Sequence, residues 1–426
     1  MEQISYKQCL DKMYKLNRFG IKLELETITN ILKNIGSPQK KFKSIHIAGT
    51  NGKGSIASYI ASILKSAGFK TGLYTSPHLI KFNERFSING KDVSNDDIVQ
   101  SYIAVKNADT GKRKATFFEL ATAMGFYLFA RNHVQWAVIE TGMGGRLDAT
   151  NVIKPELSVI SNISIEHTDY LGNTIKDIAR EKAGIIKNNI PVITGVKQAS
   201  ALSVLRKTAE KKSADFYLYK KDFKTRKSHK GNFFTYTSNK NKFQKLETKL
   251  LGPHQIENAA LAIAASEIIL SESSEKHIKH GILKTTWPAR LEYIMDNPMV
   301  IIDGAHNFEA SKNLGKYLKF ELKGKKIAII IGILDDKPYK SMVKELIPCA
   351  HKIIFTKAEI NRSLDPKILK DFSKNITDSK IIIIENVGKA VEYAIKNLSD
   401  YDCICVAGSL YVAGEAREKI IKDLKS

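Results

Sequence analysis

Residues 44–64 of the chain have the sequence SIHIAGTNGKGSIASYIASIL. Residues 44–48 alternate in polarity and are rich in β-branched side chains, which predicts a buried strand. Residues 56–64 space their apolar side chains as an amphipathic helix does. The glycines between strand and helix let backbone N–H groups turn toward an anion at the helix N-terminus. The stretch therefore predicts a phosphate-binding loop, although its glycines lie closer together than in G-x-x-x-x-G-K-[ST].

A few side chains of this loop could contact a nucleotide. Lys53 is placed to reach the β- and γ-phosphates, and Thr50 or Ser55 could reach a phosphate or a metal ion. Gly54 stands between Lys53 and Ser55, so the residue order departs from the common pattern. Because strand, loop, lysine and helix follow in the expected order, nucleotide binding is favoured over a Gly-rich turn that binds nothing.

Length and composition predict a cytoplasmic protein with two cores of ordinary size. The chain has 426 residues, of which 43% are hydrophobic, and no apolar run approaches the ~20 residues of a membrane span. The first residues carry acids and an amphipathic pattern, unlike a signal peptide. The cysteines lack zinc-ligand spacing and are interpreted as buried thiols in a reducing compartment. They are Cys9, Cys349, Cys403 and Cys405.

The charge balance favours anionic partners. With 67 Lys and Arg against 44 Asp and Glu, the net charge is +23 (67 − 44). Such a charge suits a nucleotide, a polycarboxylate substrate or nucleic acid. The densest basic run, YKKDFKTRKSHKGN (219–232), is interpreted as a solvated surface rather than a binding patch. A nucleic-acid-binding P-loop ATPase remains an alternative, but without a recognisable motif for it we expect no nucleic acid partner.

The order of elements predicts an α/β protein of two domains, at 1–286 and 287–426. Helical patterns separate short β-rich runs in the first domain, which predicts a parallel sheet. These runs are 44–48, 71–75, 135–140, 157–161 and 191–194. Region 215–248 is predicted to be a small β-meander. The helical pattern breaks at 285–294, and five further strand candidates with helices between them predict a smaller doubly wound domain.

Polar side chains follow several predicted strands of the first domain, where ligands of open α/β sheets collect. Ser76 follows the second strand, Glu140 ends the third, and Glu166 and His167 follow the fourth. A Glu and a His on neighbouring strand ends beside a phosphate loop indicate Mg²⁺ held by few protein groups and by nucleotide oxygens. Taken singly, the Glu could cap a helix and the His could be a satisfied core residue.

Two further places carry candidate binding residues. Thr116 and Glu119 flank two aromatic residues at the start of an apolar helix, a set that would suit a flat heterocycle, although a core helix explains most of it. In the second domain, DGAHN (303–307) ends a strand and offers Asp303 and His306. Arg290, at the junction, could reach phosphates.

A series of short motifs follows in a fixed order along almost the whole chain. They are G-T-N-G-K-G-S (49–55), T-S-P-H-L (75–79), F-F-E (117–119), E-T-G-M-G-G-R-L-D-A-T-N (140–151), H-T-D-Y-L-G (167–172), R-E-K-A-G-I (180–185), W-P-A-R-L-E (287–292), D-G-A-H-N (303–307) and G-S-L-Y (408–411). By these motifs the chain resembles the folylpolyglutamate synthase/dihydrofolate synthase branch of the Mur ligase superfamily. It departs from that family at Glu166, where Asp is usual, at Tyr170, where Trp is more frequent, and at Phe308, where Pro is common.

This resemblance implies a fold, namely a P-loop Mur-ligase-like ATPase domain with a small β appendage, followed by a smaller Rossmann-like α/β domain. It also implies site residues. ATP would be bound by Gly49, Thr50, Asn51, Gly52, Lys53, Gly54, Ser55, Asn258, Arg290 and Asp303. One Mg²⁺ would be held by Ser76 and Glu140, and a second by His167 and Lys182. The pterin would lie against Thr116, Phe117, Phe118 and Glu119, and the incoming glutamate against His306 and Ser409.

The implied reaction is ATP-dependent amide formation through an acyl phosphate, with Lys53, Lys182 and His167 as catalytic residues. The acceptor would be dihydropteroate, a reduced folate or both, and a monofunctional folylpolyglutamate synthase is the alternative. Composition favours a solvated Lys182, whereas the resemblance implies a lysine carbamylated by CO₂. Cell-wall Mur ligases carry a further domain before the phosphate loop, so that branch is not expected. We expect a monomer that binds small molecules and no membrane.

Overall fold

Runs of Ile, Val and Ala form the central strands of a large sheet in the first part of the chain. The structure is a computed structural model, and it describes residues 4–16, 22, 24–228, 233–270 and 274–424. The chain divides into two units, Met1–Lys249 with Gln255–Thr286 and Leu250–His254 with Trp287–Ser426. Each unit has its own sheet and its own core.

The first unit contains an eight-stranded sheet and a separate three-stranded antiparallel sheet. Its strands are β1 (Lys43–Ala48), β2 (Thr71–Tyr74), β3 (Phe86–Ile88), β4 (Lys91–Asp92), β5 (Trp136–Glu140), β6 (Leu157–Ile160), β7 (Val192–Thr194), β8 (Phe216–Leu218), β9 (Phe223–Lys227), β10 (Phe233–Ser238) and β11 (Lys242–Glu247). Its helices are α1 (Tyr6–Tyr14), α2 (Glu26–Asn34), α3 (Lys53–Ser66), α4 (Asn95–Ala108), α5 (Phe117–Arg131), α6 (Thr168–Leu171), α7 (Ile175–Ala183), α8 (Ala199–Lys211), α9 (Pro253–Ile269) and α10 (Glu275–Lys284).

Strand β1 lies in the middle of the large sheet, in the order β4-β3-β2-β5-β1-β6-β7-β8. It pairs in parallel with β5 and β6, and the register sets Ile47 opposite Glu140 and Ala48 opposite Ile160. The segments that follow these three strands therefore leave the sheet at one edge. This register brings the phosphate loop beside the polar residues that follow β5 and β6.

Helices cover both faces of the large sheet. One core lies under α1, α2, α4 and α5 and includes Phe126 and Phe129, and another lies under α7 and α8 and includes Ile178 and Leu205. Helix α3 packs against β5 and α10. None of the described helices combines the length and the apolar character that a membrane crossing requires.

The second unit contains a six-stranded sheet in the order β12-β13-β17-β14-β15-β16. Its strands are β12 (Glu292–Asp296), β13 (Met299–Ile302), β14 (Ile327–Ile331), β15 (Lys352–Lys357), β16 (Lys380–Asn386) and β17 (Cys403–Ala407). Its helices are α11 (Phe308–Glu321), α12 (Tyr339–Leu346), α13 (Pro366–Ser373), α14 (Val387–Asn397) and α15 (Leu410–Lys419). All pairs are parallel except β12 with β13. Short 3₁₀ segments span Pro38–Lys40, Phe82–Arg85, Ala149–Val152 and Ile347–Cys349, and a π-helical turn at Ile420–Leu424 follows α15.

The predicted α/β class is confirmed, and the structure corrects three of its details. The first sheet is not wholly parallel, because β3 and β4 add an antiparallel edge. The first strand of the predicted meander, β8, joins the large sheet in parallel with β7, so the appendage consists of β9–β11 alone. The segment 285–294, predicted as the junction between the domains, also contains the start of strand β12 at Glu292.

The lysine-rich run 219–232 lies partly on β9, and its residues 229–232 lie outside the described part of the chain. In β9 the side chain of Phe223 is buried, whereas Lys224, Arg226 and Lys227 are exposed. Because a strand points alternate side chains to opposite faces, the basic residues next to Phe223 and Thr225 lie on the solvent side. The described part of the run agrees with the solvated surface expected from its composition.

Candidate active site

The loop between β1 and α3 is shaped by two glycines with positive φ. Gly49 has φ +149° and Gly52 has φ +84°. A methyl group built on Gly49 would lie 1.8 Å from Oγ of Ser161, and one built on Gly52 would lie 2.6 Å from Oδ1 of Asn258. Only glycine fits such contacts without displacement of the neighbour. The structure thus brings Asn258, a predicted nucleotide ligand, against the phosphate loop.

Lys53 is the first residue of α3 and folds back over the loop. Its Nζ donates to the carbonyl oxygens of Gly49, at 3.1 Å, and Thr50, at 3.3 Å. Its positive charge therefore lies at the place where a helix N-terminus already favours an anion. Ser55 is the third residue of the same helix, and its Oγ is buried and has no hydrogen-bond partner in the described part of the chain. A buried hydroxyl without a partner fits a ligand oxygen or a cation.

Thr50 and Asn51 bind the segment that follows β6. The hydroxyl of Thr50 accepts from the backbone N–H of Ser164, at 3.0 Å, and donates to its carbonyl oxygen, at 3.2 Å. The backbone N–H of Asn51 donates to Oδ1 of Asn162 at 2.8 Å, and the hydroxyl of Ser161 donates to the carbonyl oxygen of Asn51 at 2.7 Å. These bonds fix the loop to the chain that leads to Glu166 and His167. Thr50 therefore has a bracing contact that sequence reasoning did not predict.

Ser76 and Glu140, the predicted ligands of one Mg²⁺, lie together. Glu140 ends β5 and is 5% exposed. Its Oε2 accepts from the backbone N–H of Ser76 at 3.2 Å. The next residue, Thr141, has a buried hydroxyl for which the described residues offer no partner. Oxygen atoms of a carboxylate and of hydroxyls at this edge match the ligand preference of Mg²⁺.

Lys182, on α7, is buried and not a solvated helix lysine. Its side chain is 1% exposed, and its Nζ donates to Oε1 of Glu166 at 2.8 Å. Burial lowers the pKa of Lys182, Glu166 opposes that shift, and the charge of Lys53 adds to it. Although burial opposes ionisation of Glu166, the charges of Lys182 and Lys53 lower its pKa to about 2. Lys182, Lys53 and His167 therefore all lie close enough to Glu166 to favour its ionised form.

The described residues contain no group of three or more His, Cys, Asp or Glu side chains placed to hold a metal ion together. Fewer protein ligands are consistent with Mg²⁺, which keeps several waters or phosphate oxygens. The groups that suit a Mg²⁺ ion here are the buried hydroxyls of Ser55 and Thr141 and the carboxylate of Glu140. His167 lies at the start of α6 and directly follows Glu166 in the chain.

A cavity of about 350 Å³ opens at the N-terminus of α5. Thr116, Phe117, Phe118 and Glu119, the predicted pterin residues, all lie in its wall, together with Ser76. The rest of the lining was not assigned from the sequence and consists of Leu16, Lys22, Pro77, Arg85, Gly142, Met143, Leu147, Asp148 and Ala149. The set is mostly apolar and aromatic with a few polar groups, as in sites for small molecules.

Glu119 is held by the protein itself. Its Oε2 accepts from the backbone N–H and the hydroxyl of Thr116, both at 2.8 Å, which closes a capping box at the start of α5. Arg113 donates to both of its oxygens, at 3.1 and 2.6 Å. Such a pair is strong and directional. Glu119 therefore shapes the cavity through the helix end and Arg113, whereas Phe117 and Phe118 line the cavity with their rings.

Asp148 organises the opposite wall. Its Oδ1 accepts from the backbone N–H of Thr150 at 3.0 Å and from the Thr150 hydroxyl at 2.5 Å, and its Oδ2 accepts from Met143 N–H at 2.9 Å. Nε2 of the buried His46 lies 2.8 Å from the same hydroxyl. Burial raises the pKa of Asp148 and the hydrogen bond from Thr150 lowers it. The loop after β5 is thus tied to β1, the strand that enters the phosphate loop.

In the second unit, the predicted residues gather around Gly304. Asp303 is buried and accepts from the backbone N–H groups of Leu291, at 2.8 Å, and Ala305, at 2.9 Å. Burial raises its pKa, and the charge of Arg290 opposes this. A methyl group built on Gly304 would lie 2.6 Å from Arg290 and 2.4 Å from Leu410. The structure therefore places Arg290, Asp303 and the start of α15 side by side.

His306 and Ser409 lie next to this group. Nδ1 of His306 is 2.8 Å from the carbonyl oxygen of Gly304, so Nδ1 carries the hydrogen. Ser409 is 1% exposed and caps α15, because its hydroxyl accepts from the N–H of Val412 at 3.0 Å. Capping of α15 is sufficient to explain a serine at this position, even if Ser409 binds no ligand. A role for either residue toward glutamate stays a prediction.

Models of known families match both parts of the chain. Residues 47–266 match the Mur ligase middle domain, and residues 289–410 match the Mur ligase glutamate ligase domain. The first match contains the phosphate loop, Glu140, His167, Lys182 and Asn258. The second contains the group around Gly304.

Whole-chain comparisons agree with these matches. The chain is 37% identical to the dihydrofolate synthase/folylpolyglutamate synthase of Bacillus subtilis, over 95% of this chain and 96% of that protein. It is similar to the crystal structure of folylpolyglutamate synthase from Thermotoga maritima, with a TM-score of 0.88 and 36% identity over 98% and 97% of the two chains. It is also similar to E. coli FolC in complex with DHPP and ADP, with a TM-score of 0.91 and 27% identity over 100% of both chains. The chain therefore belongs to the Mur ligase family, in the branch of the dihydrofolate synthases and folylpolyglutamate synthases.

Proposed function

We propose that this chain is an ATP-dependent ligase that joins L-glutamate to a pteridine-bearing acid, either dihydropteroate, a reduced folate or both. The observation that carries the proposal is the arrangement of the large sheet. The phosphate loop with Lys53, the Ser76–Glu140 pair and the aromatic cavity at Phe117 and Phe118 all lie at one edge of it.

The relatives support this choice of substrates. The Bacillus subtilis protein carries both activities in its name, and the E. coli FolC structure contains ADP together with DHPP. We transfer a nucleotide and a pteridine acceptor to this chain from these comparisons. Both acceptors are retained, because nothing in the cavity wall distinguishes the shorter from the longer acid.

For the nucleotide, we propose that the backbone of Gly49–Ser55 and the amine of Lys53 contact the phosphates, with Asn258 against the loop. Thr50 and Asn51 act mainly by bracing the loop through Ser164 and Asn162. Arg290 and Asp303 remain proposed nucleotide ligands, and His306 and Ser409 proposed glutamate ligands. Asp303 and Ser409 already accept backbone N–H groups within their own unit, and each keeps further hydrogen-bonding capacity for a ligand.

For the metal, we propose Ser76 and Glu140, joined by the hydroxyl of Ser55, as ligands of one Mg²⁺, and His167 with Lys182 as ligands of a second. Mg²⁺ bound there would neutralise part of the phosphate charge. Lys182 would bind as a carbamate, formed when its neutral amine adds to CO₂ and releases a proton. A carbamate facing Glu166 needs a cation between the two anions, since like charges at that distance repel.

The reaction follows from the chemistry of the two acids. One carboxylate oxygen of the acceptor attacks the γ-phosphorus of ATP, and ADP leaves. The α-amine of glutamate then attacks the acyl carbon, the C–O bond to phosphate breaks, and phosphate leaves with one oxygen of the acceptor. In both steps this chain contributes charge neutralisation by Lys53 and positioning by the cavity, which are the main sources of catalysis in phosphoryl transfer.

A single assay tests the proposed function. The purified protein is incubated with ATP, MgCl₂ and L-glutamate, and with dihydropteroate or tetrahydrofolate in turn, and the products are identified by mass spectrometry. We expect a product that is heavier by one glutamyl residue. One phosphate should be released for each amide bond formed. Omission of glutamate or of the acceptor should stop phosphate release. If neither acceptor gains glutamate, the proposed function is wrong.

We further propose a cytoplasmic monomer. The state of the cysteines supports the cytoplasmic location, because all four are free thiols in the structure. Three of them are buried, and burial raises the pKa of Cys9 and of Cys403 to about 12. Thiols that stay protonated in a core are unreactive and suit a reducing compartment. Sedimentation velocity of the purified protein measures the oligomeric state, and a dimer at micromolar concentration would contradict this proposal.

A further inference from the structure

Arg290 stands between two residues whose backbone is left-handed. Ala289 has φ +53° and Leu291 has φ +46°, and neither is a glycine. Both residues are buried. A residue with a Cβ adopts this conformation only at a cost, so the conformation persists where the surrounding structure holds it. The backbone on both sides of Arg290 is therefore held in a form that it would not keep by itself.

Two carboxylates hold the left-handed residues, one each. The backbone N–H of Leu291 donates to Oδ2 of Asp303 at 2.8 Å, and that of Ala289 donates to Oε2 of Glu292, also at 2.8 Å. The carbonyl oxygen of Ala289 accepts from the N–H of Gly304 at 2.8 Å. Asp303 already has a proposed role toward the nucleotide, whereas Glu292 has none. Removal of the Glu292 carboxylate would leave the N–H of Ala289 without its acceptor.

Glu292 is itself held from helix α15. Nε of Arg417 donates to both carboxylate oxygens of Glu292, each at 3.0 Å. The side chains of Arg417 and Glu292 are 24% and 21% exposed, so solvent and salt screen this ion pair less than a fully exposed one. Arg417 therefore restricts the Glu292 side chain, and Glu292 in turn restricts Ala289.

The guanidinium of Arg290 is aligned by the same backbone. Its Nη1 donates to the carbonyl oxygen of Ala289 at 2.9 Å. A methyl group built on Gly304 would lie 2.6 Å from this nitrogen, so glycine at position 304 leaves space for the guanidinium. Because the carbonyl oxygen moves with the backbone of Ala289, a change of φ at Ala289 would turn the guanidinium away from its present orientation.

We propose that Glu292 and Arg417 are positioning residues for Arg290, and that they hold its guanidinium in the orientation that binds the polyphosphate of the nucleotide. The contacts run from Arg417 through Glu292 and Ala289 to Arg290. The planar guanidinium matches phosphate oxygens, and one that is already aligned loses less freedom on binding. This inference rests on the proposed function, because that function assigns Arg290 to the nucleotide.

A double-mutant cycle tests the inference through binding of β,γ-methylene-ATP, a nucleotide that cannot transfer its γ-phosphoryl. Isothermal titration calorimetry in MgCl₂ measures the affinity of the wild type, of Arg290→Ala, of Glu292→Ala and of the double variant. We expect Arg290→Ala to weaken binding about tenfold or more, since a hydrogen bond to a charged group contributes at least that much. Glu292→Ala should weaken binding about fivefold, the cost of ordering one long side chain. The double variant should bind no more weakly than Arg290→Ala, because Glu292 acts only through Arg290.

Asp402→Ala is the matched control. Like Glu292, Asp402 accepts a backbone N–H, that of Lys326 at 2.7 Å, and forms an ion pair, with Lys325 at 3.2 Å. These partners belong to the start of β14 and not to the chain around Arg290. We expect Asp402→Ala to bind the nucleotide as the wild type does.

The double variant decides whether Glu292 positions Arg290 or only supports the fold. If Glu292→Ala weakens binding by the same factor with and without Arg290, or does not weaken it at all, the inference is overturned. Thermal unfolding shows whether Glu292→Ala folds. If it does not, Arg417→Gln takes its place in the cycle with the same expectation, because it removes the other member of the ion pair.

Two further results separate this inference from the proposed function. If Arg290→Ala binds β,γ-methylene-ATP as tightly as the wild type, Arg290 is not a nucleotide ligand and the inference is wrong, whereas the ligase itself stands. If the wild-type protein does not bind β,γ-methylene-ATP, both the inference and the proposed ATP-dependent function are wrong.

Discussion

Lys53 is the residue whose removal should have the largest effect on the reaction with the least effect on the fold. Its hydrogen bonds go to the carbonyl oxygens of Gly49 and Thr50 in the phosphate loop, not to the core. We expect Lys53→Ala to lower the ligation rate by about 100-fold or more, because a positive charge at the phosphates is lost. Lys65→Ala, at the exposed end of the same helix, should leave the rate unchanged. Turnover of Lys53→Ala within a few-fold of wild type would refute the role of the loop.

Glu140 should determine how much Mg²⁺ the protein requires. Removal of a carboxylate ligand weakens a site for a hard cation, so Glu140→Ala should raise the Mg²⁺ concentration for half-maximal rate by about tenfold or more. Glu156→Ala, which removes an exposed carboxylate just before β6, is the control. The measurement is the ligation rate as a function of MgCl₂ at saturating ATP. An unchanged Mg²⁺ dependence would show that Glu140 only holds Ser76.

Lys182 is the residue for which sequence composition and family resemblance disagree most. Its burial against Glu166 excludes a solvated lysine and leaves carbamylation as a prediction. We expect Lys182→Ala to be nearly inactive and to be partly rescued by acetate, a short carboxylate that can replace the carbamate. Lys182→Met keeps the volume of the buried stem and controls for folding. In ¹³C-bicarbonate, NMR should show a carbamate carbon in the wild type that both variants lack.

Two results together would contradict this role. They are a wild-type spectrum without the carbamate signal and an alanine variant of near-normal activity. The ion pair with Glu166 would then be the function of Lys182. Residue order could not reveal that pair, because its members are 16 positions apart and lie on different elements. The same limit explains why Arg417 was not predicted, since its ion pair with Glu292 joins residues 125 positions apart.

At the scale of elements, the start of α5 should govern the acceptor more than the nucleotide. Phe118 packs against Gly142, where a methyl group would lie 2.4 Å from its ring, and its ring centroid is 6.4 Å from that of Tyr74. We expect Phe118→Ala to raise the KM for the acceptor by about tenfold, because an aromatic wall is lost, and to leave the KM for ATP near wild type. Phe69→Ala, which removes a ring packed on Trp136, controls for the sheet. Equal changes in both KM values would assign α5 to the core alone.

The elements that could be predicted are those with a strong local pattern. Strands β5, β6 and β14 are buried along their length, as is β1 after Lys43, and all four contain β-branched residues, so composition identifies them. Strands β3 and β4 were missed because they are two or three residues long and pair only at an edge. Strand β8 was assigned to the wrong sheet, since its partner β7 is set by the parallel crossover and not by the neighbouring hairpins. Local sequence cannot carry such pairing information.

At the scale of the whole molecule, the motifs predict the family and the class of each unit, while the structure supplies the contacts inside each site. The residues after β1, β5 and β6 were predicted to lie together because parallel strands end at one edge. The bracing of Thr50 by Ser164 and the link from His46 through Thr150 to Asp148 follow from that register. Both join segments more than 100 residues apart, which no spacing in the sequence indicates.

Transfer of an oxygen atom from the acceptor to phosphate tests whether the protein forms its amide bond through an acyl phosphate. Dihydropteroate labelled with ¹⁸O in its carboxylate is incubated with the protein, ATP, MgCl₂ and L-glutamate, and the released phosphate and the product are analysed by mass spectrometry. An acyl phosphate requires that one ¹⁸O enter phosphate for each amide bond formed, while the other stays in the amide. Amide formation with unlabelled phosphate would rule out the acyl phosphate, and phosphate release without a glutamylated product would show that the protein is not this ligase.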